Sequence, residues 1–111
     1  MGRAQGPTAA RRTRRLTPNL DTPLGSDTEF SGALLRRLRE SAEATIDDVA
    51  DITKINKRYL RAVEEHDYAA LPAAVYVRGF VCEYARALGL EAEVVAKSYM
   101  TIYQRYKGEG V

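Results

Sequence analysis

Residue types that build catalytic and metal sites are scarce in this 111-residue chain, which has one cysteine, one histidine and no tryptophan. A single cysteine, Cys82, excludes an intrachain disulfide and favours a reducing compartment. It lies in an apolar run, where a buried structural thiol is expected, and His66 alone is too little to complete a zinc site with it. We therefore predict no metal, no cofactor and no small-molecule substrate, and a protein that is not an enzyme.

Long apolar runs are also missing. No stretch approaches the roughly 18 to 20 apolar residues of a membrane-spanning helix, and the N-terminus lacks the apolar centre of a signal peptide. The sequence therefore predicts no membrane span and a cytoplasmic location. Its length and its 45% hydrophobic residues fit one compact domain.

The basic charge is concentrated at the N-terminus. The first 30 residues hold five arginines against three acidic residues, whereas the rest of the chain holds 12 basic and 12 acidic residues. Residues 1–29 are rich in Gly, Pro, Thr and Arg, which predicts a disordered Arg-rich tail. Its arginine cluster either contacts nucleic acid or another acidic surface, or is simply solvated. The cluster consists of Arg11, Arg12, Arg14 and Arg15.

Residues 30–107 carry the periodicity of helices and no strand-like alternation, and residues 108–111 are predicted to be a flexible end. Ser31 is placed to cap a first helix, and Thr45 with Asp48 resembles a capping box that starts a second. Asn56 can cap a third, which ends near His66. The sequence thus predicts two short helices, joined by a tight link, after the first.

Two longer helices follow. An apolar stripe from Val77 to Leu88 predicts the fourth, with Pro72 just before it and Gly89 as its C-terminal cap. A similar stripe predicts a fifth from about Glu91 to Tyr106. Together the pattern predicts an all-α fold, a five-helix bundle containing a helix-turn-helix.

The amino-acid identities of several segments are more specific than the spacing of their apolar residues. The runs GALLRRLRE from Gly32, TIDDVADITKI from Thr45, YLRAVEE from Tyr59 and LPAAVYVRGF from Leu71 closely resemble the cytoplasmic domain of RodZ proteins. YARALGL, from Tyr84, continues the match, which covers about 75 of the 111 residues.

This resemblance implies a repressor-like five-helix fold that recruits a protein partner, the MreB-like cytoskeletal filament or another cytoplasmic protein. The partner-binding residues would be Tyr76 and Phe80 at the start of the fourth helix, with Arg78 between them. On a helix, both aromatics lie beside the apolar stripe rather than within it. The alternative, that Phe80 packs under the connector at Tyr68, stays open.

RodZ proteins carry a membrane-spanning segment after this domain, and none precedes Val111 here. Either the chain is a piece of a longer protein, in which case membrane association would use a segment absent from it, or it is a relative that uses the same domain differently. Similar domains also occur in other bacterial proteins of unclear role.

A DNA-binding regulator is the rival interpretation. In a DNA-reading helix-turn-helix, the second helix of the motif enters the major groove. Asp47 and Asp48 oppose this function because carboxylates at the start of the preceding helix would repel phosphate. The candidate DNA-binding residues are Asn56, Lys57, Arg58 and Arg61, together with the N-terminal arginines.

One pair of charges is assigned a structural role. Arg39 in the first helix and Glu64 in the third are predicted to pair where these helices pack.

Overall fold

The computed structural model describes residues 16–19, 24–25 and 27–109. This part of the chain contains five α-helices and one 3-10 helix, and no strand. The predicted all-α fold is therefore confirmed. In chain order the elements are α1 (Gly32–Ser41), α2 (Ile46–Thr53), α3 (Lys57–Glu65), the 3-10 helix (Tyr68–Ala70), α4 (Ala74–Ala87) and α5 (Ala92–Glu109).

The first three helices begin at the predicted capping residues. The Ser31 side chain accepts a hydrogen bond from the Leu34 N–H, and the Asn56 side chain accepts one from the Arg58 N–H at 2.8 Å. Each satisfies a backbone donor that has no partner inside its helix. Local side-chain chemistry therefore fixes where these helices start.

The end of α4 also confirms its prediction. Gly89 has φ 73°, in the left-handed region that glycine enters without steric cost. Its N–H donates to the Arg86 carbonyl, and the next N–H, that of Leu90, donates to the Ala85 carbonyl at 2.9 Å. This pair of bonds closes the helix and turns the chain into α5.

The helix α5 ends three residues later than predicted, at Glu109 rather than Tyr106. Gly108 lies within the last turn and does not stop the helix there. The apolar stripe of α5 packs on α4, and these two helices share the most extensive contact in the fold. The largest fully buried side chains of the core are Leu35, Leu38, Val49, Leu60, Val63, Val77, Val81, Tyr84, Leu88, Val95 and Tyr99.

The helices α1 and α3 cross at Gly32, which lies in close contact with the α3 backbone. A Cβ on Gly32 would lie 2.4 Å from the carbonyl oxygens of both Val63 and Glu64, so no larger residue fits there without separating the helices. This crossing brings the Gly32 N–H to the His66 ring, where it donates to Nε2 at 2.8 Å.

Part of the predicted N-terminal tail contacts the bundle. Leu16 is buried, and its N–H donates to the Ala87 carbonyl at 2.8 Å, near the end of α4. Three residues later the Asn19 N–H donates to the Ser41 hydroxyl at 2.9 Å, at the end of α1. The chain segment 16–19 thus bridges the ends of two helices.

Candidate partner-binding surface

The start of α4 presents apolar side chains to solvent. Val75 is 72% exposed and Tyr76 is 61% exposed, the highest values among the large hydrophobic residues that the structure describes. At about 100° per residue, Val75, Gly79 and Tyr76 lie within roughly a quarter to a third of the helix circumference, opposite the buried stripe of α4. We call Val75, Tyr76, Gly79 and the neighbouring Phe80 the α4 surface.

The two aromatic residues predicted from the sequence differ in their surroundings. Tyr76 is exposed, whereas Phe80 is half-buried and stacks on Tyr59 of α3, with ring centroids 5.3 Å apart and an angle of 15° between the rings. The stack lies at the edge of the α4 surface and joins it to α3. Phe80 therefore contributes both to helix packing and to the accessible surface.

Arg78, the third predicted residue, lies at the opposite edge of α4. Its guanidinium donates to the Glu93 carboxylate of α5 at 2.5 Å, and a second nitrogen lies 3.8 Å from the Cys82 sulfur. Hydrogen bonding to Glu93 raises the pKa of Arg78, which is charged in any case. A partner that contacts Arg78 would have to share it with Glu93.

A buried network holds α4 in place behind this surface. The Tyr84 hydroxyl donates to the Leu35 carbonyl at 3.2 Å and contacts the Glu64 carboxylate, which is paired with Arg39 of α1. Burial raises the pKa of Tyr84 well above its ordinary value, so its hydroxyl remains a donor. These bonds join α4 to α1 and α3 and give the exposed aromatic a rigid base.

The predicted DNA-reading residues lie together at the start of α3. The side chains of Asn56, Lys57, Arg58 and Arg61 are all exposed. Two of these side chains already have partners within the domain. The Asn56 side chain accepts a hydrogen bond from the Arg58 N–H, and the Lys57 ammonium lies 3.2 Å from the Asp47 carboxylate. Within the described residues, Arg58 and Arg61 form no ion pair.

The start of α2 is closed by its own side chains. The Thr45 hydroxyl accepts from the Asp48 N–H at 3.0 Å, and the Asp48 carboxylate accepts from the Thr45 N–H at 2.8 Å. This capping box occupies backbone donors that a DNA-binding relative would offer to a phosphate, and Asp47 beside it adds negative charge. The local electrostatics therefore disfavour a phosphate at this helix.

The arginines at 11, 12, 14 and 15 lie outside the described residues. Among the residues that are described, no group of three or more His, Cys, Asp or Glu side chains could hold a metal ion. Val75 and Gly79 were not predicted from the sequence, although Gly79 lies four residues after Val75 and three after Tyr76, spacings that place residues on one side of a helix.

Two short helices joined by a tight turn, α2 and α3, within a bundle of five helices form the arrangement of a helix-turn-helix domain. A family described as Helix-turn-helix domain matches residues 34–95, more than half of the chain. The chain belongs to this family, and its resemblance to RodZ domains is confirmed.

Two curated relatives agree with this assignment. The chain is 49% identical over 49 residues to the uncharacterized membrane protein YmfM of Bacillus subtilis, covering 44% of this chain and 17% of that protein. It is 32% identical over 68 residues to the cytoskeleton protein RodZ of Streptococcus pneumoniae, covering 61% of this chain and 25% of that protein. The chain thus spans at most about a quarter of these relatives. No solved structure gives a significant match.

In the part of the chain that the structure describes, no helix is both long enough and apolar enough to cross a bilayer.

Proposed function

We propose that this domain is a non-enzymatic bacterial module that binds a cytoplasmic protein through the α4 surface. The observation that carries the proposal is the exposure of Val75 and Tyr76 on the rigid first turns of α4. A tyrosine supplies a large contact area with only two rotatable side-chain torsions, so it loses little entropy when it is buried by a partner. An exposed apolar pair on a well-held helix is therefore suited to an interface.

The charges near this surface indicate the chemistry of the partner. Arg58 and Arg61 are exposed on α3, and the neighbouring Tyr59 stacks on Phe80 at the edge of the α4 surface. Arg58 directly precedes Tyr59, whereas Arg61 lies about 160° around α3 from it, so Arg58 is the cation beside this surface. Among the described residues Arg58 forms no ion pair, so its guanidinium can pair with a carboxylate of the partner. The partner that fits best is a protein with an apolar contact region bordered by acidic side chains on the α3 side.

An MreB-like cytoskeletal filament is the specific partner that the RodZ resemblance favours. One relative is named a cytoskeleton protein and another a membrane protein. In this proposal the domain acts in the cytoplasm, and any attachment to the membrane uses a segment outside residues 1–111. The same surface would serve if the partner is a different cytoplasmic protein with the acidic and apolar features given above.

The proposal is tested by co-sedimentation of the 111-residue chain with polymerised MreB. Tyr76→Ala should weaken binding by roughly 2 kcal/mol, about 30-fold, as expected for an interface tyrosine. Tyr106→Ala is a matched control, because Tyr106 is 55% exposed but lies on α5. Equal losses for the two variants would contradict a specific role of the α4 surface.

DNA binding through α3 is the second candidate. Its support is that Arg58 and Arg61 are exposed on the helix that would enter the major groove. We rank it second because the start of α2 carries Asp47 and Asp48 in place of free phosphate-binding amides. Fluorescence anisotropy with mixed-sequence duplex DNA at physiological salt tests it. A DNA reader would lose affinity on Arg58→Ala and Arg61→Ala, and removing residues 1–15 would mainly reduce the salt dependence.

A further inference from the structure

Gly79 is a glycine that the fold of this domain does not require. It lies in the middle of the 14-residue helix α4, where glycine is the least favourable residue apart from proline. Gly32 and Gly89 have clear structural reasons, a backbone crossing and a positive φ respectively. Gly79 has neither, because its φ is not positive and a Cβ built on it would meet no atom within 4 Å.

The position of Gly79 indicates a reason for the glycine other than folding. Val75 and Tyr76 lie four and three residues before it, on the same side of the helix, and both are largely exposed. Glu83, one turn later, is held by Arg86 at 2.6 Å. The exposed face of α4 therefore has two projecting apolar side chains, then bare backbone at Gly79, then a polar pair.

We propose that Gly79 is the point of closest approach to the partner, and that an apolar side chain of an acidic protein surface packs directly against the backbone there. This inference rests on the proposed function and adds the residue that makes the α4 surface concave. Without a Cβ, the helix axis and the partner can come closer together, and Val75 and Tyr76 can then contact the sides of the inserted group.

Charge complementarity supports an acidic protein as the occupant rather than a second copy of this domain. Arg58 directly precedes Tyr59 of the Tyr59–Phe80 stack, is exposed and forms no ion pair among the described residues. A second copy would place like charges near each other. The exposed apolar residues also cover a small area compared with the roughly 800 Å² that each partner of a stable complex buries. Opposite charges must therefore contribute to binding as well.

Two substitutions separate the requirement of a partner from the requirement of the fold. Because alanine favours a helix interior more than glycine does and its methyl group has free space, Gly79→Ala should raise the Tm, by roughly 4 to 8 °C. Gly79→Gln should keep the helix content and the Tm at or above the wild-type values. Loss of stability in Gly79→Ala would show that the fold needs the glycine and would overturn the inference.

Binding of the same variants is measured by co-sedimentation with polymerised MreB as the probe. Gly79→Gln should weaken binding at least tenfold and Gly79→Ala less. Ala33→Gln is the matched control, since Ala33 is also an exposed small residue but lies on α1. The first residue of α1, Gly32, contacts His66, just after the end of α3. This control should bind like the wild type.

The outcomes distinguish the two proposals. If Tyr76→Ala weakens binding but Gly79→Gln binds like the wild type, the α4 surface stands and the close approach at Gly79 is wrong. If Tyr76→Ala and Gly79→Gln both bind like the wild type, the α4 surface itself is wrong. If the wild type does not bind the filament, the MreB form of the proposed function fails, and the Gly79 inference fails with it.

Discussion

Arg39 of α1 and Glu64 of α3 form a buried, two-pronged ion pair. Two guanidinium nitrogens of Arg39 donate to the two carboxylate oxygens of Glu64 at 2.7 and 3.0 Å, and a third donates to the Ala44 carbonyl at 2.8 Å. The Arg39 side chain is 10% exposed and that of Glu64 is 4% exposed. The pairing predicted from the sequence is thereby confirmed, and hydrogen bonding to Glu64 raises the pKa of Arg39.

We predict that Glu64→Gln lowers the free energy of unfolding by about 3 to 5 kcal/mol, because it leaves the Arg39 charge buried without its counter-ion. Chemical denaturation with urea measures the change. The double substitution Arg39→Met with Glu64→Met should cost less than Glu64→Gln alone, since it removes both charges. The exposed pair Arg36–Glu40 gives the control, and Glu40→Gln should change stability by less than about 1 kcal/mol.

The ring of Phe80 stacks on the ring of Tyr59, a contact that Tyr76 lacks. Phe80→Ala removes the stack on Tyr59 that joins α4 to α3, so it should lower both the Tm and the affinity for the partner. Tyr76→Ala should lower the affinity alone, because that side chain is 61% exposed. Circular dichroism melts of the two variants test the distinction. A Tyr76→Ala variant that melts earlier than Phe80→Ala would place Tyr76 in the core instead.

The sequence predicted the features of this domain that depend on short spacing. Helix starts at Ser31, Thr45 and Asn56 follow from a capping side chain and a donor two or three residues away. The exposure of Tyr76 follows from its angle to the stripe of α4. These features need only local geometry, which a single sequence carries.

Contacts between distant residues were harder to predict. The Phe80–Tyr59 stack depends on how far α3 and α4 are rotated toward each other, and no pattern within either helix specifies that rotation. The burial of Leu16 depends on a site formed at the end of α4, far along the chain. The Arg39–Glu64 pair is an exception. Two opposite charges at otherwise apolar positions of packed helices are expected to pair, so the sequence alone predicts this contact.

The buried Leu16 gives a prediction for the N-terminal segment. Leu16→Ala should lower the free energy of unfolding by roughly 1.5 to 3 kcal/mol, the value of burying a leucine side chain. Leu24→Ala is the control, because Leu24 also precedes α1 but is 39% exposed. Urea denaturation of the two variants gives the comparison. Identical midpoints for Leu16→Ala and the wild type would mean that the segment adds nothing to the stability of the bundle.

His66 should make the stability of the domain depend on pH. Its Nε2 accepts a hydrogen bond from the Gly32 N–H, which requires this nitrogen to be unprotonated, and Nδ1 contacts the Tyr68 hydroxyl. The His66 ring also stacks on Tyr99, with centroids 5.2 Å apart. Burial lowers the pKa of His66 below its ordinary value of 6.5 and raises the pKa of Tyr68 to about 12, so His66 is the one of these two groups that takes up a proton as the pH falls below neutral.

The sign of the effect follows from which state takes up the proton first. As the pH falls below 6.5, the unfolded chain protonates His66 while the folded domain still resists, so the free energy of unfolding decreases. The decrease should stop below the folded-state pKa, where both states are protonated. Urea midpoints measured between pH 8 and pH 5 test this dependence. His66→Asn is the control, since asparagine tolerates the left-handed backbone of residue 66, with φ 55°, but does not titrate. If its midpoint falls with pH as steeply as that of the wild type, another group causes the dependence.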